Sequence, residues 1–523
     1  MPKWLADAVF YEIYPQSFYD TDGDGIGDIQ GIIEKLDYIK GLGCNALWIN
    51  PCFDSPFRDA GYDVRDYKKV AGRYGCNEDL FRLFAEAHKR DIHVLLDLVP
   101  GHTSEEHPWF IESKKINPPD EYKNRYIWTD TWFSWGLDGL KFIAGEAERD
   151  GCYIINFFKC QPALNYGFHQ QKEKWQLPPD HPDCAATREA LKDVMRFWLK
   201  GDSGRGCDGF RVDMADSLVK FDDPQKSATS AIWKNIRAML DAEFPEAVLV
   251  SEWSSPPMSL KAGFHADFLL DHANSGYRSL VRDYEDGVTD NSYFRKEGTG
   301  GIDRFIGQYM PWYEAVKNYG YISMITGNHD TPRISYNLDT RELSLAYAVI
   351  FTMPGVPFLY YGDEIGMRYL RHLPTKEGGY SRTGSRTPMQ WKFGKNAGFS
   401  SCETPYLPVD KEPDAPNVET QEKDPTSLLN TVKALIRLRR SEEDLGSKPN
   451  LEILHTGRVD SGDRSFIYRR GAYIIGVNPG ANTVKVTLDS RGTPARVYQI
   501  GDCALKGGRC ELEAQSFGVW KTK

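Results

Sequence analysis

The chain has 523 residues, of which 41% are hydrophobic, 13% aromatic and 26% charged, too many for one ordinary core and too rich in apolar side chains for a disordered polymer. A formal charge of −10 without a long basic run excludes a phosphate-backbone binder, which needs clustered Lys and Arg to displace counterions, so nucleic acid is not an expected partner. No apolar stretch approaches the ~20 residues that cross a bilayer, and the opening MPKWLADAVFYEIYP lacks the basic and apolar regions of a signal peptide, so a cytoplasmic protein with no membrane association is expected.

In chain order, short β-rich runs alternate with amphipathic helical segments, the pattern of parallel strands joined by helical crossovers. The first strand, AVFYEIYP (8–15), is followed by the acidic turn DTDGDGIGD (20–28) and the helical IIEKLDYIKGLG. ALWIN (46–50), the helical DLFRLFAEAHKR and HVLLDLVP (93–100) come next. About eighty residues rich in Trp, Pro and Asp then intervene, too many for a simple loop. The alternation resumes at REALKDVMRFWLKG, DGFRVDMA (208–215), SAIWKNIRAMLDAEF, VLVSEW (248–253), ADFLLD (266–271), YISMITGNHD (321–330), LSLAYAVIFTM and VPFLYYGDE (356–364). Past residue 445 the strands shorten between Gly, Pro and Asn turns, as in SFIYRR and AYIIGVNPG, the mark of an antiparallel sandwich.

These elements predict an α/β protein: a (β/α)8 TIM barrel (1–102 and 181–445), an inserted subdomain after the third strand (103–180) and a C-terminal antiparallel β-sandwich (446–523). The ten cysteines are scattered without Cys-x-x-Cys or Cys/His spacing and read as mostly reduced, buried thiols. Cys503 and Cys510 are the one pair left open as a disulfide.

In such a barrel the C-terminal ends of the strands surround one cavity. Asp97, Arg211, Asp213, Glu252, His329 and Asp330 all fall there. The three carboxylates Asp213, Glu252 and Asp330, with an arginine and histidines on one rim, are costly to gather without a use. Paired carboxylates suit glycosidic cleavage, in which one group protonates the departing oxygen and the other meets charge developing at the anomeric carbon. Arg211, two residues before Asp213, points to the same face of its strand and is expected to keep that carboxylate ionised. No GxSxG or activated cysteine competes.

The segments DLVPGH (97–102), GFRVDMAD (209–216), SEWS (251–254) and TGNHD (326–330), in this order at the ends of strands three, four, five and seven, resemble the four short regions of the α-amylase family of retaining glycoside hydrolases and transglycosylases. The resemblance covers almost the entire chain. It implies Asp213 as nucleophile, Glu252 as general acid/base and Asp330 as the third carboxylate, holding the sugar with help from His102 and His329. Arg211 would orient the nucleophile, Tyr62 in DAGYD would stack on the sugar, and Asp59 would hold the non-reducing end. YSRTGSRTPMQW (380–391) resembles a loop of α-glucosidases, oligo-1,6-glucosidases and trehalose synthases, with Arg382 as a further sugar contact.

Asp20, Asp22, Asp24 and Asp28 alternate with small residues, so their oxygens could converge on a hard cation, with Ca2+ the expected occupant. The segment is no EF-hand, since Gly31 stands where the bidentate glutamate belongs. It resembles the calcium loop of oligo-1,6-glucosidase-like enzymes, in which the Ile26 carbonyl would also bind. Gly101 replaces the Asn that binds a different calcium in amylases, and Met214 matches neither the α-1,6 nor the α-1,4 pattern. QPALN (161–165) resembles the oligo-1,6-glucosidase and neopullulanase signatures in part.

The expected activity is hydrolysis of short α-glucosides, malto- or isomalto-oligosaccharides, by double displacement. A transglycosylating isomerase such as a trehalose synthase, an endo-acting α-amylase and a non-catalytic binding subunit are the alternatives. The expected partner is a small-molecule α-glucoside, and the expected assembly a monomer or small homo-oligomer.

Overall fold

A computed structural model describes residues 1–132, 139–270, 275–283, 290–489 and 494–522. Asp271, the last residue of the sixth expected strand, and 133–138 in the inserted segment lie outside the described residues.

Eight parallel strands form the central sheet: β1 (Phe10–Ile13), β2 (Ala46–Ile49), β3 (His93–Leu98), β4 (Gly209–Val212), β5 (Val248–Ser251), β6 (Ala266–Leu269), β7 (Tyr321–Met324) and β8 (Phe358–Tyr360). Neighbours follow chain order from β1 to β7, and β8 pairs with β1. A parallel bridge from Ile325 to Phe358 and a 3.0 Å bond from the Thr326 N–H to the Phe358 carbonyl nearly close the ring. The strands are almost entirely buried, as expected when side chains fill one face and helices cover the other. Inside, the rings of Trp48, Phe268 and Phe358 pack edge-on and offset, with centroids 4.8–6.2 Å apart, and make an aromatic floor. Gly209 has φ +141° and an added Cβ there would lie 2.0 Å from the Val248 carbonyl oxygen. The close approach of β4 to β5 therefore requires glycine.

The five helical segments singled out above are observed, with Ile29–Glu34 and Leu36–Leu42 broken at Lys35, and Asn77–His88, Pro182–Lys200, Ser227–Glu243 and Thr340–Thr352. Pro256–Ala262, Asp303–Val316 and Leu428–Ser441 complete the alternation after β5, β6 and β8; the second carries Pro311 in its interior, which masks a helix in a sequence reading. Thr340–Thr352 opens with a reciprocal cap, Asp339 and Glu342 each accepting the other's backbone N–H at 2.9 Å. It is buried on nearly every side, which places it between barrel and C-terminal sheet.

Within 103–180 the described regular strands are the antiparallel pair Lys141–Ile143 and Tyr153–Ile155. The C-terminal segment holds β9 (Leu451–Thr456), β10 (Phe466–Arg470), β11 (Tyr473–Asn478), β12 (Val484–Thr487), β13 (Ala495–Ile500), β14 (Cys503–Lys506), β15 (Arg509–Leu512) and β16 (Ser516–Lys521). They form a five-stranded sheet, β9-β10-β11-β16-β13, and a three-stranded one, β12-β15-β14. Between the sheets, Ile467, Ile474 and Trp520 meet Val486, Leu505 and Leu512. The opposite face of the larger sheet, with Phe466, Tyr468, Ile475 and Val519, joins the main core. All ten cysteines are free thiols, so the disulfide left open between Cys503 and Cys510 is absent. Among the described residues no helix is long and apolar enough to cross a membrane.

Candidate active site

Six loops after barrel strands bring the candidate residues together, those after β3 and β8 supplying His102 and Arg382. After β2, the buried Asp63 carboxylate accepts the backbone N–H groups of Arg58 and Asp59 at 3.0 Å and the Ser55 hydroxyl at 3.0 Å. That turn, with Ala60 at φ +52°, presents Asp59 and Tyr62. Asp213 follows β4 directly, Glu252 follows β5 directly, and His329 and Asp330 lie five and six residues beyond β7. Met214 (φ +42°) and Ser254 (φ +59°) flank the two carboxylates in the left-handed region. Such conformations cost roughly 1–2 kcal/mol each and gather where side-chain aim matters. The Met214 N–H donates to Glu252 Oε2 at 3.1 Å, which couples the two loops.

A cavity of about 200 Å3 is lined by Asp59, Tyr62, His102, Phe157, Asp213, Met214, Glu252, Asp330 and Arg382. At ~30 Å3 per water this is the space of about seven waters, the scale of one sugar ring. A larger cavity of about 610 Å3, between Trp109, Arg125 and the Pro182–Lys200 helix, contains none of the converging carboxylates and is not the site assigned here.

Arg211 and His329 stand behind this cavity. Arg211 places Nη1 2.8 Å from Asp97 Oδ1 and 3.3 Å from Asp213 Oδ1, and Nη2 2.7 Å from Glu252 Oε2. The arginine thus lies nearer Asp97 and Glu252 than Asp213. Burial, and then the Glu252 carboxylate, push Asp213 well above the usual carboxylate range despite Arg211. Asp213 is therefore easier to protonate than an ordinary carboxylate.

At the other wall, burial opposes charge on both Asp330 and His329, but their mutual attraction outweighs it. With help from Arg386 and Arg382, Asp330 is held well below the usual range, while Asp330 and Glu12 lift His329 to about 9. His329 Nε2 lies 3.2 Å from Asp330 Oδ2 and 2.8 Å from the Tyr62 hydroxyl, and Nδ1 lies 2.9 Å from Glu12 Oε1. Arg382 reaches Asp330 at 3.0 Å and Asp59 at 3.3 Å, and Arg386 reaches Asp330 at 2.8 Å. Gln161 donates to Asp59 at 2.8 Å.

Burial lowers His102 to about 4, so it is neutral at pH 7. Its Nε2 lies 3.1 Å from the Tyr62 carbonyl oxygen and its Nδ1 3.1 Å from Asn156 Nδ2. Nε2 must then carry the proton and Nδ1 accept. Both histidines thus have both ring nitrogens partnered.

Arg386, Glu12 and Asn156 were not singled out from the sequence, and Gln161 was noted only as the first residue of QPALN. Two signals were available: Arg386 stands four residues after Arg382, and Glu12 is a charge inside the apolar run FYEI.

In the acidic loop, ligand oxygens of Asp20, Asp22 and Asp28 lie within 4.8 Å of one another. Asp24 is outside that group, its Oδ1 accepting the Ile26 N–H at 2.7 Å. Burial raises Asp28. The donor set is all oxygen and anionic, which fits a hard cation.

Residues 12–447 match the family profile described as alpha amylase, catalytic domain. The chain is 34% identical over 486 residues to the trehalose synthase/amylase TreS of Mycobacterium tuberculosis, covering 84% of this chain and 75% of that protein. It is 32% identical over 519 residues to a glucan 1,6-alpha-glucosidase of Streptococcus pneumoniae, covering 90% and 89%. Among solved structures, isomaltulose synthase from Erwinia rhapontici NX5 in complex with sucrose superposes with a TM-score of 0.80 at 26% identity, covering 100% of this chain and 99% of that one.

Proposed function

Because this chain belongs to the α-amylase family of glycoside hydrolases and transglycosylases, we propose that it is a retaining hydrolase of short α-glucosides working through a covalent β-glycosyl-enzyme. The observation that carries this is the meeting of Asp213, Glu252 and Asp330 on one cavity the size of a single sugar ring. A long groove for the middle of a polysaccharide would suit an endo-acting amylase better. Asp59 and Asp330, tied through Arg382, support recognition of a terminal glucosyl unit.

Asp213 attacks the anomeric carbon as the glycosidic C–O bond breaks, and Glu252 gives its proton to the leaving oxygen. A water then attacks the same carbon, returns its proton to Glu252 and frees Asp213. In the productive complex the mechanism requires an ionised Asp213 and a proton on Glu252; positive charge developing at the sugar favours that placement, because it stabilises the ionised Asp213. Asp330, kept anionic by His329, Arg382 and Arg386, receives sugar hydroxyls. Arg211 and His329 act through their carboxylate and tyrosine partners, while His102 stands on the cavity wall, held by the Tyr62 carbonyl and Asn156.

A second reading, transfer of the glucosyl unit to another sugar, is favoured by Phe157, which lines the cavity and is 45% exposed, an apolar face on which an acceptor sugar could stay while water is excluded. Incubation with maltose, isomaltose, trehalose, sucrose and maltoheptaose separates the readings. Glucose as the main product supports hydrolysis, and accumulation of a new disaccharide supports transfer. Asp213→Asn is expected to lose roughly 10³-fold or more in either, and equal activity in that variant would sink both.

We assign Ca2+ to Asp20, Asp22 and Asp28, with Asp24 and the Ile26 carbonyl completing the shell on rearrangement. Bound there, it would supply structural rigidity to the loop that leads from β1 into its helix. The free thiols suit a reducing compartment.

A further inference from the structure

Asp267 of β6 lies opposite Ser251 of β5 in register and is fully buried. Its Oδ1 accepts the Ser251 hydroxyl at 2.6 Å and the backbone N–H groups of Trp253 and Ser254 at 3.1 and 3.3 Å. Its Oδ2 accepts the Ser255 N–H at 2.8 Å. The gripped segment therefore begins one residue before Glu252 and ends three after it. It includes Ser254, whose positive φ needs outside support.

We propose that Asp267 is a positioning residue for the general acid/base: it fixes the backbone that carries Glu252, and so sets where the Glu252 carboxyl stands against Asp213 and the leaving oxygen. The inference rests on the reading of Glu252 as acid/base. Asp267 does not line the cavity. A buried carboxylate facing only hydrogen-bond donors is an expensive way to hold a turn. Only an acceptor-only group can take four donors on two oxygens, and asparagine would turn an N–H toward one of them. Such an arrangement is warranted where a misplacement of about 1 Å costs a large rate factor.

The test compares donors that need different amounts of acid assistance. Asp267→Asn should lose about 10- to 100-fold in kcat on whichever of maltose, isomaltose, trehalose or sucrose the enzyme cleaves best, with KM within about twofold. First-turnover fluoride release from α-glucosyl fluoride, whose leaving group needs little protonation, should stay within about threefold of wild type. Ser251→Ala, which removes one of the four donors, should show the same pattern at smaller size. Equal losses on both donors would reduce Asp267 to a structural residue, and no loss on either would remove it from the reaction; both outcomes overturn the proposal. Glu252→Gln run alongside keeps the two readings apart. If that variant is itself indifferent to the leaving group, the acid/base assignment fails and takes this proposal with it.

Discussion

His329 shows how a residue singled out in sequence can depend on partners that its motif does not name. The motif around it names the aspartate that does most to hold its charge, Asp330, but not the second carboxylate, Glu12, more than 300 positions away and 2.9 Å from its ring. Its folded value of about 9 stands above the ordinary 6.5, so the proton-linked stability is fully present below pH 6.5 and is lost as pH rises through about 9. The difference in thermal midpoint between the wild type and His329→Gln should therefore shrink as pH climbs across that window. A difference constant with pH would mean that His329 is not held charged. The carboxylates at strand ends were legible because their positions follow from topology. The cations that tune them were less so, because Arg382 and Arg386 come from an irregular loop whose path no periodicity dictates. Arg211 was legible as a neighbour of Asp213, yet its closer contacts to Asp97 and Glu252 depend on where three strands meet.

At the scale of elements, each barrel strand was readable from its apolar run, although the expected spans overran the observed strands at their ends. YISMITGNHD stops being a strand after Met324, and the motif residues hang on the loop beyond it. The helices Asp303–Val316 and Leu428–Ser441 went unnamed although the alternation required them. Spacing put Asp20, Asp22, Asp24 and Asp28 together in the acidic loop, whereas the oxygens that draw together are those of Asp20, Asp22 and Asp28. If the loop holds calcium, millimolar Ca2+ should raise the thermal midpoint of chelator-treated protein by several degrees. A ligand at a thousand times its dissociation constant contributes about 4 kcal/mol. Asp22→Ala, which removes an exposed member of the group, should abolish that increment. An equal calcium response in the variant would place the ion elsewhere.

Across the whole molecule, the C-terminal sandwich was legible from its turn spacing, but its attachment to the barrel was not. Arg470, fully buried, donates to the carbonyls of Thr352 and Gly446 at 2.5 and 2.6 Å and to Asn450 at 2.6 Å. The Tyr468 hydroxyl meets that of Thr352 at 2.6 Å. These bonds close over a shared apolar core, so barrel and larger sheet should unfold together. Arg470→Met should cost about 2–4 kcal/mol and lower one calorimetric transition. Two transitions, with only the smaller one displaced, would show that the sandwich unfolds independently.

The proposed mechanism makes Asp213 the nucleophile that carries the glucosyl intermediate. Incubating Glu252→Gln, which should form that intermediate faster than it hydrolyses it, with α-glucosyl fluoride and mapping its peptides by mass spectrometry tests the point directly. The added mass of one glucosyl unit on the peptide that contains Asp213, absent from the Asp213→Asn, Glu252→Gln double variant, is the expected result; fluoride release with no adduct, or an adduct on another carboxylate, would contradict the account.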